Sequence, residues 1–355
     1  MSLLHPSRPN APHLLSLTPR AALPGGSFEV AGTHLLGAAE GRASRLPVAF
    51  VGQVEAGLDV LRPIRAQVRV PAGAIPGDLQ LRYGREHTNS LHANVAVPLA
   101  EDLHMISNPA ADADGNLFAM ISGPRGTRVP VSIMRIGQDQ QVRPFARDLL
   151  NISALAFGPD GYLYASSRTD GIVYRISPEG AVSNFAEGMG IATGLAFDSA
   201  GNLFVGDRSG TIFKLGPHGR HNAAEIFVFA TLEPSVAAYH LAFRDDGTLL
   251  VTAPTTSSNQ PIYAITPEGE TSVFHRGLGR PQGMAVAADG SLYVAASLQG
   301  RRGIIRVAAD GGDAELVVSG NDLVGLCFLD DGSAALATAN TLYQVNLGVN
   351  GRRVI

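Results

Sequence analysis

The sequence predicts an all-β protein in which a six-bladed β-propeller follows a small immunoglobulin-like β-sandwich. The main observation is a phrase that occurs six times after residue 100: an apolar strand, a turn ending in glycine, and a second apolar strand. The turn glycines are 40 to 46 residues apart, a period that is typical of propeller blades built from short strands. These glycines are Gly115, Gly161, Gly201, Gly247, Gly290 and Gly332.

Each phrase continues into a third and a fourth strand, which gives four antiparallel strands per blade. The third strands begin with VSIMRI (131–136) and the fourth with VRPFA (142–146); in the last blade the fourth strand is assigned to RRVI (352–355). Asp-Gly turns supply the positive φ that two-residue hairpins need. We also expect the equivalent residues Phe157, Phe197 and Phe243 to be buried between blades.

The N-terminal part of the chain lacks the repeat. Residues 10–98 contain short apolar segments separated by turns rich in glycine and proline, which predicts a small β-sandwich. The segment PLAED (98–102) is a plausible junction. The predicted organisation is therefore a tail at 1–9, a sandwich at 10–98 and a propeller at 99–355.

Composition excludes several classes of function. A net charge of −4 argues against nucleic acid as a partner. The single cysteine, Cys327, excludes an internal disulfide and a multi-cysteine metal site. No run of apolar residues reaches the 18 or so that a membrane span needs, and no signal peptide is visible in the chain as given. We expect a soluble protein, and the sequence leaves its compartment unknown.

Propeller topology divides the loops between two faces. The first strand of each blade lines the central channel and runs to the Asp-Gly turn, so these turns share one face, called the lower face. Loops between blades and loops after the second strands share the other, called the upper face. Loops on a rigid scaffold often carry binding sites, and we expect a ligand-binding role for upper-face arginines. The candidates are Arg125, Arg128, Arg168 and Arg208.

A polar ring is predicted at the upper mouth of the channel, eight residues before each turn glycine. Its polar members are Ser107, Ser153, Thr193, Tyr239 and Gln282. This ring could hydrogen-bond the hydroxyl or carbonyl groups of a ligand, or could simply line a water-filled channel. His240 and Asp207 are the candidate acid and base on this face, and a structural role for the histidine is the alternative.

Two resemblances to known families extend this interpretation. The phrases RPQGMAVAADGSLYVAAS and GIATGLAFDSAGNLFVGDRSGTIFKL resemble NHL-repeat propellers and the senescence-marker-protein/gluconolactonase/luciferin-regenerating-enzyme family over about residues 103–347. The phrases LTPRAALPGGSFEVAGTHL, VAFVG and VRVPAGAIPGDLQLRYG resemble the IPT/TIG immunoglobulin-like family. The second resemblance implies a spacer or a module that binds a protein partner.

The first resemblance implies a lactonase with one divalent metal at the channel mouth, which polarises the lactone carbonyl and activates water. The matching positions here are Ser107, Ser153, Thr193 and Gln282, and none is a carboxylate. Calcium prefers six to eight oxygen ligands, usually with carboxylates among them. We therefore predict no cofactor, with a divalent metal such as Ca²⁺, anchored by Asp207, as the alternative.

Three functional hypotheses follow. The first is a propeller that binds a small polar anion, such as a sugar acid or another carboxylate, through upper-face arginines. The second is a lactone or ester hydrolase that uses His240 and Asp207 at the same site. The third is a scaffold that binds a protein partner, with the IPT/TIG-like domain contributing.

Overall fold

The computed structural model describes residues 11–37, 46–216, 225–255 and 259–352. These residues form 33 β-strands and no helix. The chain divides into two compact units: residues 1–97 with 317–321, and residues 98–316 with 322–355. None of the described residues forms a helix that could span a membrane.

The first unit is all-β, as expected, but it does not show the two separate sheets of the predicted sandwich. Its strands are β1 (His13–Thr18), β2 (Ala21–Ala22), β3 (Ser27–Thr33), β4 (Val48–Val51), β5 (Val54–Arg62), β6 (Arg65–Arg69), β7 (Gly77–Tyr83), β8 (Glu86–His87) and β9 (Leu91–Ala93). One hydrogen-bonded sheet connects eight of them in the order β1-β3-β6-β5-β4-β7-β8, with β9 also paired to β7. Alternate residues of β3 and β6, including Phe28, Val30 and Val68, are fully buried in one core.

The second unit is the predicted propeller, in which each of the six blades has four strands. Blade 1 contains β11 (Ala110–Ala111), β12 (Leu117–Met120), β13 (Ile133–Ile136) and β14 (Val142–Ala146). Blade 2 contains β15 (Ile152–Phe157), β16 (Leu163–Ser167), β17 (Val173–Ile176) and β18 (Val182–Ala186). Blade 3 contains β19 (Ala192–Phe197), β20 (Leu203–Asp207), β21 (Thr211–Leu215) and β22 (Ile226–Thr231).

The remaining blades follow the same order along the chain. Blade 4 contains β23 (His240–Phe243), β24 (Leu249–Thr252), β25 (Gln260–Ile265) and β26 (Thr271–Leu278). Blade 5 contains β27 (Met284–Val286), β28 (Leu292–Leu298), β29 (Arg301–Val307) and β30 (Ala314–Ser319). Blade 6 contains β31 (Leu323–Phe328), β32 (Ser333–Thr338) and β33 (Leu342–Asn346).

The fourth strand of blade 6 comes from the other end of the propeller sequence. It is β10 (Val97–Ala100), which pairs with β33. The assignment of this strand to 352–355 was therefore wrong; within that segment, residues 353–355 lie outside the described residues. A strand from before blade 1 therefore pairs with β33 and joins the two ends of the ring.

Aromatic contacts between blades set their packing. Phe157 of blade 2 packs edge-to-face on Phe118 of blade 1, with ring centroids 5.1 Å apart. The same contact joins Phe197 to Tyr164 at 5.0 Å and Phe243 to Phe204 at 4.9 Å. The three phenylalanines lie between blades as predicted; Phe197 and Phe243 are buried, whereas Phe157 is only half-buried. Their strands run from the upper face to the Asp-Gly turns, so residues after the second strands lie at the upper face.

Candidate functional site

Three arginines from neighbouring blades repel one another electrostatically at the upper face. Arg125 follows the second strand of blade 1, Arg168 that of blade 2 and Arg208 that of blade 3. Burial lowers the pKa of the Arg168 guanidinium, and the positive charges of Arg125 and Arg208 lower it further. The Arg168 Nε is buried and has no hydrogen-bond partner among the described residues. These three side chains are called the upper arginine cluster.

The cluster has no compensating carboxylate among the described residues, whose ion pairs all involve other arginines. Asp207, the residue directly before Arg208, has other partners. Its carboxylate is buried and accepts hydrogen bonds from the Ile191 amide at 2.8 Å and from the Ser209 hydroxyl. Asp207 therefore fixes the loop between blades 2 and 3.

The other candidate arginine of blade 1 has a separate contact. Arg128 is exposed and donates to the carbonyl oxygen of Asp148 at 2.5 Å. Arg208 keeps most of its hydrogen-bonding capacity, since only its Nε donates, to the Ser235 carbonyl at 3.2 Å. A shallow hollow of about 310 Å³ lies beside Arg208. Its other lining residues are Gly190, Ile191, Asp207, Ser209 and Ser235.

Asn151 connects the loops that carry the first two arginines of the cluster, and sequence reasoning missed it. Its Nδ2 donates to the carbonyls of Ser122 and Pro124, both at 2.8 Å. Its Oδ1 accepts from the Gly126 amide at 2.5 Å and from the Thr169 hydroxyl at 2.9 Å. Asn151 has a positive φ of 41°, a conformation that asparagine tolerates better than most residues. The sequence feature that could have identified Asn151 is its place directly before the first strand of blade 2.

The predicted polar ring is present, but much of it is buried and hydrogen-bonded within the protein. The Ser153 hydroxyl donates to the Ala192 carbonyl at 2.9 Å. The Thr193 hydroxyl donates to the Gly206 carbonyl at 2.9 Å and accepts from the Tyr239 amide at 3.0 Å.

The two larger ring residues are also engaged. The Tyr239 phenol is fully buried and donates to the Glu233 carbonyl, and burial raises its pKa well above the usual range. Gln282 accepts at Oε1 from Arg302 at 2.5 Å. Burial is the main reason why the pKa of Arg302 falls to about 10. Arg302 also donates to the Leu323 carbonyl at 2.5 Å, and this bond joins blade 5 to blade 6.

His240 and Asp207 do not form an acid–base pair by contact. His240 is buried, and its Nδ1 lies 3.3 Å from the Ser107 hydroxyl oxygen. Burial lowers the pKa of His240 to about 4, so the ring is neutral near pH 7. In the described part of the chain, the side chains of His240 and Asp207 are not hydrogen-bonded to each other. His240 lies against Ser107, and Asp207 accepts from the Ile191 amide.

The family's metal site does not fit the residues present. The hydroxyls of Ser107, Ser153 and Thr193 are committed to internal hydrogen bonds, and the Gln282 oxygen is bound to a guanidinium. In the part of the chain that the structure describes, no three His, Cys, Asp or Glu side chains are grouped as metal ligands would be. Neutral, occupied oxygens are poor ligands for a hard divalent ion.

No protein-family model and no curated protein matches the chain. Solved structures do match it. A gluconolactonase from Xanthomonas campestris is 14% identical with a TM-score of 0.58, covering 76% of this chain and 90% of its own. A virginiamycin B lyase from Staphylococcus aureus is 13% identical with a TM-score of 0.52, covering 70% and 97%. An auxiliary nutrient binding protein from Bacteroides thetaiotaomicron is 10% identical with a TM-score of 0.54, covering 95% and 98%. These structural similarities support the six-bladed fold, but sequence identities this low do not indicate a function.

Proposed function

We propose that the propeller binds a small anionic ligand, a sugar acid or another carboxylate, through the upper arginine cluster. The observation that carries this proposal is Arg168, a half-buried guanidinium with an unpartnered Nε that is repelled by Arg125 and Arg208. Three like charges without an ion-pair partner among the described residues destabilise one another, and a bound anion would relieve this repulsion. A guanidinium also binds a carboxylate through two parallel hydrogen bonds.

The arginines are positioned before a ligand arrives. Asn151 fixes the loops that carry Arg125 and Arg168, and Arg208 is anchored to the Ser235 carbonyl. A site whose groups are already held in place loses less conformational entropy on binding. The ring residues Ser107, Ser153, Thr193, Tyr239 and Gln282 support the loops in this proposal and do not contact the ligand.

The proposal contains no hydrolytic step. His240 and Asp207 have separate partners, and the metal that lactonases of the resembled family use has no suitable ligands here. The solved structures with this fold include a gluconolactonase and a nutrient binding protein, and binding of a small polar molecule is compatible with both.

For the first unit, we propose the assignment that the sequence resemblance implies, an IPT/TIG-like module over residues 10–98. Its role would be that of a spacer or of a surface for a protein partner, and the propeller would begin at residue 99. The support is the order of its sequence phrases, together with an all-β unit that has its own core.

The proposed function can be tested with pairs of acidic and neutral sugars. A ligand that binds only the folded state raises the melting temperature. We expect gluconate and galacturonate to raise it in low-salt buffer, and glucose and galactose at the same concentrations to leave it unchanged. Equal effects of acid and neutral sugar, or no effect from any acid in a wider panel of carboxylates, would contradict the proposal.

A further inference from the structure

A cavity lies at the opposite end of the channel from the upper arginine cluster. It has a volume of about 950 Å³ and is lined by the innermost strands of all six blades and by lower-face turns. Its walls include Leu155, Leu195, Leu241 and Leu326, one repeat position in four blades. This volume lies within the range of small-molecule sites in proteins, which are mostly apolar with a few polar groups.

A ring of small side chains keeps this cavity open. The fifth residue before the turn glycine is small in every blade and lines the cavity each time. These residues are Ala110, Ala156, Ala196, Ala242, Ala285 and Cys327. Ala156 and Ala285 belong to blades 2 and 5, on opposite sides of the ring, and both keep exposed surface although they lie on innermost strands. Walls of this kind offer few hydrogen bonds to water.

Arg135 is the polar group available to a ligand in this cavity. It lies on the third strand of blade 1 opposite Phe118, the place that Arg175 and Arg306 occupy in blades 2 and 5. Arg175 pairs with Asp160 at 2.8 Å, and Arg306 pairs with Asp289 at 3.4 Å.

Arg135 differs from these two equivalents. It lines the cavity, and its Nε is buried without a hydrogen-bond partner among the described residues. The other lining arginine, Arg352, is already bound to the Asp245 carboxylate at 2.5 Å and to the Phe243 carbonyl at 2.8 Å. Because this Nε is enclosed, the terminal nitrogens of the Arg135 guanidinium are the donors that remain for a ligand acceptor.

We propose that the lower cavity binds a second ligand: a hydrophobic small molecule, aromatic or branched aliphatic, that carries one anionic acceptor group for Arg135. The apolar body lies against the alanine ring and the leucines, and the acceptor meets the Arg135 guanidinium. Three aspartates line the cavity, and their negative charges disfavour an anion at its rim. They are Asp112, Asp114 and Asp330. The Asp112 oxygens are already occupied by Asn116.

The test uses two fluorescent probes with the same aromatic body. 1-Anilinonaphthalene-8-sulfonate carries an anionic acceptor, and N-phenyl-1-naphthylamine lacks it. We expect saturable binding of both at one site, with the sulfonate bound more tightly. Arg135→Met should weaken binding of the sulfonate by about tenfold or more, the scale of a lost hydrogen bond to a charged group. Binding of the naphthylamine should be nearly unchanged. Arg306→Met, at the equivalent place in blade 5, should leave both affinities unchanged.

Filling the cavity tests where the probes bind. Ala156→Leu combined with Ala285→Leu should abolish binding of both, whereas Ala181→Leu, which adds the same atoms at an exposed position, should not. If the double variant does not fold, protection of Cys327, the sole cysteine, from methyl methanethiosulfonate answers the same question in the unaltered protein. Tighter binding of the naphthylamine, unchanged binding in the filled cavity, or an unprotected Cys327 would overturn the proposal.

Discussion

The hydroxyl of Ser107 lies 3.3 Å from Nδ1 of His240 and joins blade 1 to blade 4, which face each other across the ring. Both side chains are buried. The neighbouring Asn108 joins blade 1 to blades 5 and 6, since it donates to the Met284 carbonyl at 2.7 Å and accepts from the Leu326 amide at 3.1 Å. These side chains bond to one another across the channel, and Asn108 also lines the lower cavity.

Burial of neutral His240 predicts a loss of stability in acid. Its pKa is about 4 in the folded protein against about 6.5 in an unfolded chain. Between these values the unfolded state binds more protons, so the free energy of unfolding falls as the pH drops from 6.5 to 4. The full shift corresponds to roughly 3 kcal/mol. Urea unfolding of wild type and His240→Gln at pH 7.5 and 4.5 should show a smaller pH dependence in the variant; identical pH dependence would contradict this account.

Glycines beside Asn108 should not accept a side chain. A Cβ on Gly283 would collide with the Asn108 side-chain oxygen and lie 2.6 Å from the Val324 carbonyl oxygen. We expect Gly283→Ala to destabilise the protein by about 1–3 kcal/mol, the usual cost of overpacking. The control is Gly216→Ala, where a Cβ would meet nothing within 4 Å. Equal melting temperatures for the two variants would show that the packing around Asn108 is wrong.

Truncation of an inter-blade aromatic should be costly. Phe197 is 7% exposed and packs on Tyr164 of the preceding blade. Phe197→Ala should lower the free energy of unfolding by roughly 3–5 kcal/mol. Phe227, at 55% exposure, provides the control, and Phe227→Ala should cost much less. A loss below about 1 kcal/mol for Phe197→Ala would contradict the assigned contact.

Asn151 should affect anion binding without touching the anion. Asn151→Ala removes five hydrogen bonds that fix the loops of Arg125 and Arg168. We expect lower stability and also a smaller rise in melting temperature on addition of a carboxylate. If the variant melts earlier but keeps the full ligand-induced rise, Asn151 has only a structural role.

Much of the architecture could be predicted because each turn glycine marks one hairpin. Gly115 through Gly332 located all six blades, and the position of Phe157 and its equivalents gave the inter-blade packing. The closing strand β10 could not be recognised, since it pairs only after the ring has formed and its sequence does not share the repeat. The single sheet that links eight strands of the first unit was likewise hidden, because strand spacing does not determine how strands pair.

The site was predicted only in part, for a related reason. The alignment of the repeats predicted that Arg168 and Arg208 follow equivalent strands of adjacent blades. The repulsion between their charges is consistent with neighbouring positions. Register also predicted a polar ring at the upper end, but sequence cannot tell whether Ser107 and His240 bond to each other or to a ligand. The lower cavity was missed, although the small residue five positions before every turn glycine was visible in the sequence.

The central claim is that Arg168 binds a carboxylate as part of the upper arginine cluster. Titration calorimetry with the acid that most raises the melting temperature tests this directly, comparing wild type, Arg168→Gln and the control Arg276→Gln, which alters an exposed arginine of blade 4. We predict one binding site, about tenfold or more weaker in Arg168→Gln and unchanged in the control. The same Kd in a folded Arg168→Gln variant as in wild type would contradict the account.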